Sequence, residues 1–298
     1  MKPARIQQFV RAQTVTRLKK LDTELRRATK KPEDPTTIHD LRVAIRRFTQ
    51  CLRTFEAFFE ADQRKKIRLR LRKLVDRCGA TRNCDIALDL VRQAGLGDDA
   101  LVAHLEAERC RAEKQLVRRL GGWRKREITR RWQKNLRMVS TPADGWDLEQ
   151  DAAQNARRVL PALAVALFTA GDSAAAAGAT PQTIHQFRLQ TKRFRYTVEL
   201  FQPLYGDDIE RGLKALRGLQ DKLGLINDCV STLELVKGHR RAVIAIRKLL
   251  AQREIEFRLH WNRHFGRPAR TRWITWLGRP AAAGQDPNPE SVQHLASA

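Results

Sequence analysis

The chain has 298 residues, 42% of them hydrophobic, and carries 58 Lys and Arg against 33 Asp and Glu, a formal net charge of +25. That apolar content excludes a disordered polyelectrolyte, while so large an excess of like charge opposes compaction and calls for a polyanionic counterpart: nucleic acid, an anionic membrane or inorganic polyphosphate. Five cysteines without a CxxC pair argue against a disulfide framework or a structural zinc site and read as buried, reduced thiols of a cytoplasmic protein.

Leu, Ala, Arg, Lys, Gln and Glu dominate, and no alternating strand pattern occurs, so the expected fold class is all-α. The N-terminus, "MKPARIQQFVRAQTV", lacks the apolar run of a secretory signal and reads as the start of a core helix at about 3–29. "KKPEDPTT" forms a loop whose threonines offer an N-cap to a helix at about 36–60. Further helices are expected at about 62–78, 81–94 and 98–138. "STPADGWD" (140–147) then divides the chain into an N-terminal bundle, 1–140, and a C-terminal bundle, 147–266. In the second half helices are expected at about 147–170, 181–203, 207–223, 226–236 and 239–265. The small-residue segment 170–182 reads as a loop ending in a proline suited to a helix start. "RTRWITWLGR" (270–279) reads as a helix end closing the bundle, and 278–298 has the composition of a disordered tail. No stretch approaches 18 uncharged apolar residues, so no membrane span is expected.

The main internal signal is a repeat. "IHDLRVAIRRFTQCLRTF" (Ile38 to Phe55) returns 146 residues later as "IHQFRLQTKRFRYTVELF" (Ile184 to Phe201). Ile38, Arg42, Arg47, Phe48 and Phe55 recur unchanged, and Lys192 stands opposite Arg46. A second collinear match, one residue shorter in offset, aligns Arg72 with Arg217, Asp76 with Asp221, Gly79 with Gly224 and Cys84 with Cys229. Two bundles of like topology related by a pseudo-twofold would produce both matches.

Stepping roughly 100° per residue from His39 gathers Arg42, Arg46 and Arg53 within about 60° of it. Leu41, Ile45, Phe48, Leu52 and Phe55 fall on the opposite, core-facing side. In the second copy His185, Arg188, Lys192 and Arg195 form the polar stripe, and Phe187, Phe194, Val198 and Phe201 the buried one. Each histidine thus heads a cationic ridge. Like charges at i, i+3 and i+4 destabilise a helix by a few tenths of a kcal/mol per pair (~0.2–0.5), and no acid interrupts either ridge before Glu199. Such an unbalanced surface, made twice, points to function.

The residue types suit phosphate. Arginine offers a rigid fork for phosphate oxygens and lysine a mobile point charge. Cations one helical turn apart, about 5.4 Å, can follow a chain of phosphates. Arg72 and Arg217 are added to the candidates because they recur; Arg82 and Lys222 lie in the second repeated segments.

A His-x-x-Arg-x-x-x-Arg/Lys-Arg helix ending in Phe, made twice, each copy followed by an "LxxLxxxLG"-type helix and an Asp-containing turn, resembles the CHAD family (conserved histidine α-helical domain). The likeness spans roughly residues 3–265. It implies two helical bundles around a basic cleft or pore that binds inorganic polyphosphate. It further implies binding roles for His39, Arg42, Arg46, Arg47 and Arg53, and for His185, Arg188, Lys192, Arg193 and Arg195. The sequence departs from the family pattern in three places. Thr49 stands opposite Arg195, Glu199 stands opposite Arg53, and the turn reads Arg82-Asn83 in one copy and Asn227-Asp228 in the other. The acidic–basic β-barrel pattern of the CYTH-type domain sometimes fused to this family is not found, so a stand-alone protein associated with polyphosphate granules is expected.

The sequence also offers two rival readings. His39-Asp40 resembles the HD pair of metal-dependent phosphohydrolases, but the second copy reads His185-Gln186 and loses the carboxylate. No metal site, cofactor or catalysis is therefore expected. Nucleic-acid backbone binding needs only Lys and Arg, but single-strand recognition wants exposed aromatics. Here aromatics are 6% of the chain, and those of the repeated helices fall on the apolar arcs.

Overall fold

The computed structural model describes residues 5–96, 99–139, 146–206 and 208–279. The expected tail from 280 onward and most of the boundary at 140–147 lie outside them. Ten α-helices and two short 3-10 turns make up the described residues: α1 Ile6–Lys30, α2 Pro35–Thr54, α3 Ala61–Gln93, α4 Asp99–Lys125, α5 Ile128–Asn135, α6 Ala152–Ala175, α7 Pro181–Phe201, α8 Asp208–Leu235, α9 Arg240–His264 and α10 Arg267–Gly278. The β-type pairings among them are two isolated bridges, Arg5 with Asp151 and Phe59 with Met138.

Several boundaries differ from the sequence reading, each for a physical reason. The cap of α2 is Asp34, not a threonine: its carboxylate accepts from the Thr36 N–H at 2.9 Å and from the Thr37 hydroxyl at 2.6 Å, with Pro35 in the first turn. α7 begins alike, with Thr180 accepting from the Thr183 N–H ahead of Pro181. Helices expected at 62–78 and 81–94 are one continuous helix, α3, as are 207–223 and 226–236 in α8. A glycine costs a helix only about 1 kcal/mol relative to alanine, and packing on neighbours outweighs it. The expected helix 98–138 is instead broken after Lys125, where Glu127 takes a left-handed conformation (φ 45°, ψ 43°) and restarts the chain as α5. The alanine-rich segment expected as a loop prolongs α6 to Ala175, as alanine's helix propensity favours.

One apolar core runs through both halves. The predicted stripe of α2 is buried in full, as is that of α7. The phenylalanines that end the two repeated helices meet there: Phe55 and Phe201 lie 5.7 Å apart, and Phe9 of α1 stacks on Phe201 at 5.5 Å. Packing partners recur between the halves: α1 on α2 and α6 on α7, α2 on α3 and α7 on α8, α3 on α4 and α8 on α9. The halves join where α2 packs on α7 and α3 on α8.

The segment 270–279 belongs to α10, which closes the C-terminal half by packing on α6. Among the described helices α6 is long and apolar enough to cross a membrane by length and composition, which the count of apolar residues had not suggested. In the fold it packs against α7, α9 and α10, with Leu160, Ala164, Leu167 and Phe168 in the core. Gly171 of α6 admits Trp261 so closely that a Cβ would lie 2.0 Å from the indole. The five cysteines are free thiols; four are buried, whereas Cys110 is exposed, contrary to the expectation of uniform burial.

Candidate functional site

The packing of α2 on α7 brings the two cationic ridges together. Arg42 and Arg46 of α2, Arg188 and Lys192 of α7, and Arg82 of α3 lie in one mutual field. Its strength shows in the ionisation of its members. Burial, then Arg188, Arg46 and Arg42, depress the Lys192 ammonium from 10.5 to about 6, against the opposing charge of Asp228. Burial, Arg46, Arg188 and Arg82 lower Arg42 to about 10. Arg188 is lowered by burial and by Arg46, with Asp228 opposing. The exposed His39 feels the same field: lost hydration, then Arg46, Arg42 and Arg82, hold its imidazole below the usual 6.5.

Local contacts fix the geometry. Arg42 donates to the Cys78 carbonyl of α3 at 3.0 Å, and Arg46 donates back to the Arg42 carbonyl at 3.2 Å. Gly79 makes the first contact comfortable, since a Cβ there would already stand 3.4 Å from the Arg42 guanidinium. The Arg188 Nε is buried without a hydrogen-bond partner. A buried donor left unsatisfied costs about 1–3 kcal/mol, which an anionic ligand would recover.

Asp228 of α8 is the acid inside this field. Burial raises its carboxyl, while Arg188, Arg82, Arg253 and Lys192 pull it the other way. The divergent pairs expected as turns, Arg82-Asn83 and Asn227-Asp228, lie inside the continuous helices α3 and α8, and Arg82 from the first copy and Asp228 from the second contribute to one site. Neither Asp228 nor Arg17, which belongs to the neighbouring network, follows from the sequence reading. The mismatch of the two pairs is the available signal for Asp228.

The other candidates divide into three places. Arg47 and Arg195 converge on the buried Glu199: Arg47 Nε donates to it at 2.8 Å and Arg195 makes a second ion pair, while Arg17 donates to the Glu199 carbonyl at 3.2 Å. Burial alone would lower Arg47, but the hydrogen bond and charge of Glu199 more than offset it and raise it. Arg195 is 9% exposed and also donates to Gln220 at 2.7 Å, so the position read as part of the polar stripe is a buried structural one. The repeat pairs Arg47 with Arg193 and Glu199 with Arg53. The counterpart of the Arg47–Glu199 ion pair is therefore a juxtaposition of two arginines. Burial, Arg193 and Arg68 lower Arg53 accordingly, with Glu56 only partly opposing. Finally, His185 and Arg72 are exposed, and Arg217 is exposed and ion-paired with Glu210, outside the set that meets around Lys192. Asp40 pairs with Arg27 at 3.3 Å, and among the described residues no group of three or more His, Cys, Asp or Glu could hold a metal ion.

The CHAD domain family model matches residues 12–237, which includes both ridges. The chain belongs to the CHAD domain family. Solved structures share the fold. The CHAD domain from the plant Ricinus communis has 23% identity and a TM-score of 0.57, with 94% of each chain covered. PptA from Streptomyces chartreusis has 17% identity and a TM-score of 0.59, covering 91% of this chain and 100% of its own. No curated protein matches the chain. In this CHAD domain, then, the histidine helices pack across the junction of the two halves beside α3 and α8, and that junction concentrates their cations.

Proposed function

We propose that the chain binds inorganic polyphosphate, without cleaving it, through the cations gathered between α2 and α7, and that it associates with polyphosphate bodies by this means. The observation that carries the reading is the gathering of Arg42, Arg46 and Arg188 from both ridges around Lys192, whose ammonium burial first and then these arginines depress to about 6. A folded chain that holds Arg42, Arg46, Arg188 and Lys192 together around a single partly buried Asp228 is short of negative charge there. A ligand with closely repeated anionic oxygens supplies it. The family resemblance of the motif supports the phosphate chain as that ligand. Continuation toward Arg53, Arg68 and Arg193 gives a second unneutralised set for the same chain to reach.

The aromatic side chains of both repeated helices are in the core, which favours phosphate contacts over base stacking. Asp40 beside His39 is engaged with Arg27, and Asp228 is engaged with the arginine field, which supports holding over hydrolysis. The test is competition among long polyphosphate, single-stranded RNA and duplex DNA at matched phosphate concentration, with orthophosphate release followed in the presence of Mg²⁺. Polyphosphate is expected to displace both nucleic acids without orthophosphate appearing. Preference for RNA would reverse the ligand, and release of orthophosphate abolished by Arg188→Gln would make the protein an enzyme.

A further inference from the structure

We infer that a second oligophosphate-binding groove lies on the outer face of the N-terminal half, between α3, α4 and α5, physically separate from the site between the repeated helices. Two adjoining hollows of about 800 and 690 Å³ lie there, sharing Arg118 and Arg119 as lining residues. Each falls in the range of roughly 300–1,000 Å³ that holds a small-molecule-sized ligand. Lys66, Arg70, Lys73 and Arg77 line them from α3 and Arg118 and Arg119 from α4. At 100° per residue the four α3 cations share an arc of about 60° and extend about 16 Å along the helix. Arg82, which serves the site already described, projects from α3 roughly 140° away from Arg77.

What distinguishes this groove from an ordinary charged surface is that its cations lack counter-ions. None of these six forms an ion pair among the described residues, although Asp76 lines one end. Arg77 donates instead to Gln115, and the Arg119 Nε is buried with no partner at all. Elsewhere α4 is balanced, with Arg109 held by Asp85 of α3 and by Glu113 of α4. Arg126 and Arg131 extend the lining toward α5. The floor is apolar and closed. Trp123 and Trp132 are 2% and 8% exposed and pack edge to face at 5.4 Å, so they offer no ring for a base to stack on. Arg118 Nε donates only to the Lys114 carbonyl of its own helix at 3.3 Å. A linear run of charge without counter-ions, a buried Arg119 donor left unpartnered and no aromatic platform fit a chain of phosphates.

The test is lysine footprinting of the intact protein by acetylation and mass spectrometry, with medium-length polyphosphate and with RNA of equal charge as probes. Polyphosphate is expected to protect Lys66 and Lys73. That protection should vanish in Arg118→Gln/Arg119→Gln and in the more exposed pair Arg70→Gln/Arg77→Gln. It should persist in Arg42→Gln/Arg188→Gln, which removes cations only from the other site. Affinity should fall roughly tenfold in either groove variant, as for two lost charge-assisted contacts. The charge-matched control Arg240→Gln/Arg241→Gln should change it little. Absence of protection, loss of protection in Arg42→Gln/Arg188→Gln, or an equal fall in the control would overturn the groove. Stronger protection by RNA would overturn its occupant. Protection of Lys66 and Lys73 without protection of Lys192 would leave this groove standing while removing the site between the repeated helices.

Discussion

Replacing Lys192 by methionine should make the protein more stable at pH 7 and the gain should fade by pH 10. In the unfolded chain the amine holds its proton to 10.5, whereas burial and the arginines around it bring the folded value to about 6. At pH 7 folding therefore strips a proton that water would have kept for about 3.5 further pH units, a cost on the order of 5 kcal/mol at about 1.4 kcal/mol for each. The unfolded state binds about one more proton than the folded state between pH 6 and 10.5, so the stability contributed at this site rises with pH across that window. The penalty is complete below about 6 and gone above 10.5. Lys192 is not fully enclosed, and replacing a buried charge by an apolar side chain of like size returns only part of such a cost, so the expected gain at pH 7 is about 2 kcal/mol. For a chain of this length that is a rise in Tm of roughly 3 °C. At pH 10 only about half a pH unit separates solution from the unfolded value, and the gain should shrink below about 0.7 kcal/mol. Thermal unfolding of both proteins at pH 7 and 10 measures it. A methionine variant that is less stable than the parent, or equally more stable at both pH values, would refute the picture of repelling, dehydrated cations.

The same group contributes to the pH dependence of binding. Polyphosphate reverses the local sign, so Lys192 should take up a proton on binding near pH 7.5, affinity should climb as pH falls from 9 toward 6, and calorimetry in buffers of different ionisation enthalpy should report an uptake in the parent that is reduced in Lys192→Met, the remainder belonging to His39. Arg188→Gln should weaken polyphosphate binding at least about tenfold, whereas Arg217→Gln, which loses an exposed residue already paired with Glu210, should change it less than about twofold; equal effects in a titration would place the ligand elsewhere. Glu199→Gln should destabilise the fold by about 3–5 kcal/mol in denaturant titration, because Arg47 and Arg195 lose their shared counter-ion at a buried site; a loss under about 1 kcal/mol would mean that network is not a structural clamp.

How far the sequence alone reached depends on what kind of information each feature needs. Helicity, the buried stripes of α2 and α7 and the cationic ridges opposite them follow from local periodicity, because a helix fixes which residues share a face at 3.6 per turn. Leu41, Ile45, Phe48, Leu52 and Phe55 in the first copy, and Phe187, Phe194, Val198 and Phe201 in the second, could be placed in the core that way, and they lie there. The repeat supplied the idea of two like halves. Helix continuity was less legible: Gly79 and Gly224 read as breaks, yet α3 and α8 run through them because tertiary packing outweighs so small a propensity term.

The division of labour among the arginines belongs to the tertiary structure. The i, i+4 spacing of Arg195 and Glu199 allows their ion pair within α7, but nothing in the spacing of Arg46, Arg47 and Arg193 tells which will be drained by a carboxylate, since that depends on which helix arrives opposite. The packing of α2 on α7 brings Arg47 to the Glu199 that Arg195 already meets within α7, leaves Arg53 facing Arg193, and sets Lys192 among Arg42, Arg46 and Arg188. Asp228 joins them because α8 lies against α7 and α3, and Lys66, Arg70, Lys73 and Arg77 become one wall of a groove only because α4 lies opposite them. Charge type is written in the chain; whether a charge is neutralised is a Coulomb sum over residues remote in sequence, falling with distance and rising with burial, and only the folded arrangement fixes both.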